Sequence, residues 1–181
     1  PYHWPVGRIA FQKIAYFATE AGIPTGLHYE RGSYGPFSRE LKAAQTKLVN
    51  HDLVLERSHG RMLEVLTGPT FSDAASEYRE ELAKWERQID RVSDLFLRMR
   101  STDAEIAATV HFAAAEFAAS HETRRSEREV LEAVRAWKQK RRPPLLDEEV
   151  ARSIRTMNLL GWVHLSPSSD LPGGLDQQFN D

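Results

Sequence analysis

Val6, Ile9, Ala10, Ile14, Phe17, Ala18 and Ala21 recur at steps of three and four, which predicts a first helix with one apolar face. Pro5 suits its first turn, and Gly22 followed by Pro24 closes it. Gly26 to Tyr34 lacks any period and reads as an extended segment or loop. Gly35-Pro36 then restarts a helix with Phe37, Leu41, Ala44 and Leu48 on its apolar side, ending near Asn50. Leu53 to Glu56 and Met62 to Thr67 are β-prone runs around Ser58-His59-Gly60, the chemistry of a hairpin turn.

Beyond Gly68-Pro69, Ala75, Tyr78, Leu82, Trp85, Ile89, Val92, Phe96 and Met99 alternate steps of three and four, the seam of a heptad helix. A buried side chain of that size contributes roughly 1.5–3 kcal/mol, so the seam predicts a covering partner, either internal or another chain. Thr102-Asp103-Ala104-Glu105 and Ser126-Glu127-Arg128-Glu129 both fit the capping box and predict two further helix starts. The first of these helices would bury Ile106, Val110, Ala114 and Phe117. The second would bury Val130, Val134 and Trp137 and stop at Arg141-Arg142-Pro143-Pro144. Asp147 opens a last helix with Val150, Ile154 and Met157 inward, which Gly161 ends before a strand-like run from Trp162 to Leu165.

These elements predict a mainly α chain with short β-hairpins and strands, an α+β class. Helix, helix and hairpin over 1–72 form a winged-helix-like unit. A long heptad helix and its successor fill 73–123, and 124–165 reads as a second winged-helix-like unit. Residues 166–181, rich in Ser, Pro, Gly and Asp, predict a disordered tail.

The chain has 181 residues and is 41% hydrophobic, enough to fold without staples. It contains no cysteine, which excludes disulfide frameworks and thiolate chemistry and fits a cytoplasmic location. No apolar run reaches the roughly 18 residues of a membrane span, and Pro1 to Val6 have no signal-peptide character. The start at Pro1 points to a piece of a longer protein.

Net charge is −2, laid out in blocks. Residues 101–123 hold Asp103, Glu105, Glu116 and Glu122 with no Lys or Arg, whereas 124–142 carry eight cations against three glutamates. The basic run is interspersed with Glu127, Glu129 and Glu132 at ion-pairing spacing, so it reads as a solvated face rather than a phosphate grip. The carboxylates of 101–123 are either an exposed helix face or a surface complementary to a basic cleft. Tyr34, set between glycines in a loop, divides evenly between packing and binding. No two of the seven histidines form a helical metal pair; His121-Glu122 starts like the helical zinc motif, but Arg125 stands where the second ligand belongs. No glycine-rich phosphate loop or nucleophile elbow occurs. No metal, cofactor or catalytic residue is therefore expected, and the chain reads as a binding module rather than an enzyme.

The stretch Gly7-Arg-Ile-Ala-Phe-Gln-Lys-Ile-Ala-Tyr-Phe-Ala-Thr-Glu-Ala-Gly-Ile-Pro, followed by Tyr29-Glu-Arg-Gly-Ser-Tyr-Gly-Pro-Phe-Ser-Arg-Glu-Leu-Lys, resembles the region behind the macrodomain of DarG-type antitoxins. The likeness is strongest at Gln12-Lys13, Tyr16-Phe17 and Tyr34-Gly35-Pro36, and covers about a third of the chain. A looser likeness joins it to SocA-like antitoxin domains. The resemblance implies a region that grips a DarT-type toxin, an enzyme that uses NAD to modify thymidine in single-stranded DNA, while a separate macrodomain removes the ADP-ribose. It makes Glu30, Arg31 and Tyr34 candidate contacts. The charge layout, set beside it, makes Asp103, Glu105, Glu116 and Glu122 a candidate stand-in for DNA phosphates in the toxin groove. The rival reading is a winged-helix transcription regulator. Against it stand the mixed charges of its would-be recognition helices, Arg39, Lys42 and Lys47 around Glu40, and Arg152 and Arg155 behind Asp147, Glu148 and Glu149.

Overall fold

The computed structural model describes residues 5–60, 62–97, 99–118 and 125–173. It is mainly helical with two small antiparallel hairpins, an α+β class, and divides into two compact units, Pro1–Glu105 and Ile106–Asp181.

In the first unit, α1 (Arg8–Glu20) starts three residues after Pro5, with extended Gly7 as its N-cap. The entering chain is held elsewhere: Val65 N–H donates to the Val6 carbonyl at 2.7 Å, and Gly7 bridges Glu64. The helix buries Ala10, Gln12, Lys13, Tyr16 and Phe17. Its aromatic pair is the centre of an edge-to-face cluster, with Tyr29 5.1 Å from Tyr16 and Phe96 5.5 Å from Phe17.

Strands β1 (Glu30–Gly32) and β2 (Gly35–Phe37) pair antiparallel around the turn Ser33-Tyr34. Gly35 adopts φ +88°, which a side chain would resist. Gly35-Pro36-Phe37 is therefore strand, not the start of a helix. The second helix, α2 (Arg39–Asn50), begins after Ser38, whose hydroxyl accepts from the Leu41 N–H at 3.2 Å. Strands β3 (Val54–His59) and β4 (Met62–Thr67) form the expected hairpin, with β3 running three residues further than expected.

The single heptad helix is replaced by α3 (Phe71–Glu77), α4 (Arg79–Ala83) and α5 (Glu86–Phe96), with breaks at Tyr78 and around Trp85. The reason lies in packing. Neither α3 nor α4 buries any residue, whereas α5 buries Val92 and Leu95 and packs on α1. Spacing alone cannot tell which turns of a seam find a partner.

Helix α6 (Ser101–Ala118) also starts earlier than the expected Thr102 cap. Asp103 accepts from the Arg100 backbone N–H at 3.1 Å, so Asp103 closes this helix start and Glu105 is left inside, 3% exposed. In the second unit α6 buries Ile106, Ala107, Ala108, Val110 and Ala113. The capping box of α7 (Glu127–Lys138) forms as read, with Ser126 and Glu129 exchanging bonds. Helix α7 packs on α8 (Asp147–Leu159) through Val130, Leu131 and Val134 and through Val150, Ala151, Ile154 and Met157. Trp137 is half-buried, 5.5 Å from Phe112.

No strand forms at 162–165; Ser126 and Ser166 make one isolated bridge, and Asn158 holds both backbone groups of Leu165. Residues 166–173 are not a loose tail. Leu171 is buried, Arg155 donates to the carbonyls of Leu171 and Pro172, both at 2.8 Å, and Glu127 accepts from the Ser168 N–H. The expected tail beyond residue 173 lies outside the described residues. Among the described residues no helix is long and apolar enough to cross a membrane.

Candidate functional site

The first unit contains a cleft of about 560 Å³ between α1, α2, the β1–β2 turn and β3, a volume typical of binding pockets. Its floor is built from the two polar residues that α1 buries. Lys13, 2% exposed, donates from Nζ to the Pro36 carbonyl at 2.6 Å. Gln12 donates to the Ser38 carbonyl and accepts from the Ser38 N–H, both at 3.1 Å. A buried polar group costs free energy unless it is bonded, so these residues fix β2 and the start of α2 against α1. Ile9, Phe37 and Val49 supply apolar wall.

At one end Arg8 forks onto Glu56, at 2.7 and 2.5 Å, and Gln45 donates to the same carboxylate at 2.7 Å. This bonding holds the Glu56 carboxyl below its ordinary range, the Arg8 hydrogen bond being the largest cause, and raises the Arg8 guanidinium. At the other end the rim is available. The Lys42 ammonium and the Tyr34 hydroxyl line the cleft and make no hydrogen bond or ion pair among the described residues. Arg8, Lys13 and Lys42 outweigh Glu56, so the cleft is positively charged overall. Such a rim suits a partner that brings an apolar anchor beside a carboxylate.

The structure brings three of the candidate contacts together. Glu30 and Arg31 lie exposed on β1, and Tyr34, 53% exposed, forms the turn at the cleft lip. Glu30 is paired with Arg39 at 2.9 Å, which occupies the first arginine of α2. Of the four carboxylates expected to form one acidic surface, the structure takes Glu105 out of it. Asp103 is tied to Arg100, and Glu105 is buried. Positions 103 and 105 diverge by about 200° around a helix, since each residue turns roughly 100°. Glu116 is exposed, and Glu122 lies outside the described residues.

Basic residues of the second unit serve its own fold. Arg125 pairs with Glu129, Arg128 with Glu132 and Asp170, and Arg135 with Asp147. Arg8, Gln45 and Glu56 were not singled out from sequence. Arg8 and Glu56 stand 48 positions apart, and no local pattern joins them. Lys42 was noted only as one charge among several on α2.

The first unit is thus a helical scaffold presenting a hairpin lip over a cationic cleft. No protein-family model matches the chain. A DNA ADP-ribosyl glycohydrolase of Thermus aquaticus is 25% identical to it over 134 residues, 74% of this chain and 36% of that protein. The chain thus spans about a third of the length of that curated relative. The similarity is distant and accords with a DarG-related protein. It gives no support to the looser SocA-like likeness. It also runs against the expectation that the chain is a binding module rather than an enzyme: the relative, matched over part of its length, carries the name of an ADP-ribosyl glycohydrolase. That expectation rested on missing local motifs, which say nothing about distant kinship.

Proposed function

We propose that this chain provides the partner-gripping part of a DarG-related protein, binding a DarT-type DNA (thymidine) ADP-ribosyltransferase toxin by direct protein contact. One observation carries the reading: Gln12-Lys13 and Tyr34-Gly35-Pro36, the most distinctive parts of the antitoxin resemblance, build the floor and lip of the same cleft. Lys13 and Gln12 anchor the hairpin, so Tyr34 is displayed on a rigid base, and a rigid aromatic loses little entropy on docking. Lys42, without an ion pair among the described residues, lines the same cleft. The glycohydrolase activity in the relative's name complements this role, since one removes ADP-ribose from DNA and the other holds the enzyme that attaches it. An acidic stand-in for DNA is not part of the proposal, because Glu105, one of the carboxylates that motivated it, is buried.

Co-expression with a DarT-type toxin should yield a stable complex with suppressed DNA ADP-ribosylation. Tyr34→Ala and Lys42→Glu should each weaken the complex by roughly tenfold or more without altering the thermal melt. Failure of the wild-type chain to bind any such toxin would end this reading. Salt-sensitive binding to duplex DNA in its place would favour the regulator.

A further inference from the structure

We infer that the cleft of the first unit takes a short extended segment of the toxin, in which an apolar side chain enters the cleft and an Asp or Glu two positions away meets Lys42. The inference rests on the toxin-binding reading above and names what the toxin must offer there.

The lining sets the size of the occupant. Lys42, Gln45, Thr46, Val49 and Asn50 line the cleft at steps of three, one, three and one, a single side of α2. From 42 to 50 that side runs about 12 Å, at roughly 1.5 Å per residue. An extended chain advances about 3.3 Å per residue, so the wall spans about four residues of it. The lip lets a backbone come close. Gly32 and Gly35 flank Ser33-Tyr34, and a Cβ on Gly32 would meet the Gly35 carbonyl oxygen at 2.9 Å. This part of the wall is therefore bare main chain, and Tyr34 is the one large side chain of the turn. Ile9, Phe37 and Val49 are half-buried, whereas Lys42 is exposed at the rim. Residues i and i+2 of an extended segment share one face, about 7 Å apart, which allows an anchor among the first three and a carboxylate on the fourth.

Charge selects a carboxylate over a nucleic-acid strand. Of Arg8, Lys13 and Lys42, the first is forked onto Glu56 and the second is bonded to Pro36. Only Lys42 keeps its charged head without a partner among the described residues. One such cation matches one carboxylate, while a run of phosphates is gripped by several.

The chain has no cysteine, so Asn50→Cys and, in a second sample, Ser33→Cys each carry a single benzophenone-maleimide label at the cleft. Photolysis in complex with the intact toxin, followed by peptide mass spectrometry, should capture one toxin segment from both positions, with an Asp or Glu two residues from a large apolar side chain. Changing that acid to Lys in the toxin should weaken binding to the wild-type chain roughly tenfold, and pairing it with Lys42→Glu should restore binding to within about threefold. If no complex forms, the toxin-binding reading fails and takes this inference with it. If the complex forms, capture of a segment without that carboxylate, or a charge swap that does not recover, overturns this inference alone. Labelling of a single-stranded oligonucleotide in place of the toxin would assign the cleft to nucleic acid and overturn it as well.

Discussion

Lys13 Nζ donates to the Pro36 carbonyl at 2.6 Å, tying the second turn of α1 to the middle of β2 across 23 positions of chain. This is a buried amine donor, in a place where an unbonded polar group is costly. It is kept because β2 has only three residues, and Gly35 and Pro36 give it little packing of their own. Lys13→Met preserves the aliphatic stem and removes the donor, leaving the carbonyl of a buried residue unsatisfied. It should cost about 1–3 kcal/mol by urea denaturation. A variant as stable as wild type would mean that the hairpin is held by other contacts.

Glu56 gives the fold an acid-dependent element. Its carboxyl is depressed in the folded chain, chiefly by the Arg8 hydrogen bond, so its contribution is present above the unfolded carboxylate pKa and is lost as pH falls through the lower folded value. Comparison with Glu56→Gln isolates it from the other depressed carboxylates, Glu40, Glu81, Glu129 and Asp147. Wild type should exceed the variant at pH 7, and the gap should close as pH drops below about 4.3. Denaturation curves between pH 7 and pH 3 provide the check. A gap independent of pH would assign the difference to shape rather than charge.

Tyr29 titrates in the opposite sense. Burial is the main cause of a phenol raised from 10.0 to about 12, so the unfolded chain gives up this proton first. The stabilisation present below the unfolded value is lost as pH climbs through the window from 10.0 to about 12. Tyr29→Phe keeps the ring against Tyr16 and removes the titration. Its stability should decline less than that of wild type over the same window, as followed by denaturant unfolding at stepped alkaline pH. Identical slopes would place the phenol in water.

Features that depend on a few adjacent residues were legible before the fold was known. The ends of α1 at Gly22 and of α8 at Gly161, and the Ser126–Glu129 box, are local chemistry, and they stand where read. The β1–β2 hairpin was not legible, because strands of three residues carry no period and are held by Lys13 and Gln12 from a distant helix. Heptad spacing announced a seam but not its cover, so one helix was expected where three occur. The candidate site divides the same way. Tyr34 was visible as an aromatic among glycines, whereas the Arg8–Glu56–Gln45 end of the cleft exists only once three elements meet. Glu105 was misjudged because a carboxylate in an uncompensated acidic stretch looks exposed until packing buries it.

Gly68 provides the sharpest steric test. A Cβ built there would stand 2.0 Å from the Asp52 carbonyl oxygen and 2.6 Å from its carbon, both backbone atoms that cannot swing aside. The crowding arises because Asp52 itself turns through φ +55° to start β3, and the Gly68 N–H donates to the Leu53 carbonyl at 2.9 Å, closing the open end of the hairpin. Gly68→Ala must therefore spread the β3–β4 hairpin at its base, which also carries the strand holding Glu56. Overpacking of this kind typically costs about 1–3 kcal/mol, and a clash between backbones belongs at or above the upper end. Gly60→Ala is the control: the added Cβ meets nothing within 4 Å, so its cost comes only from the positive φ of +60°. Urea unfolding should rank Gly68→Ala as clearly the more damaging of the two. The reverse order would show that the hairpin yields at its base more readily than at its turn.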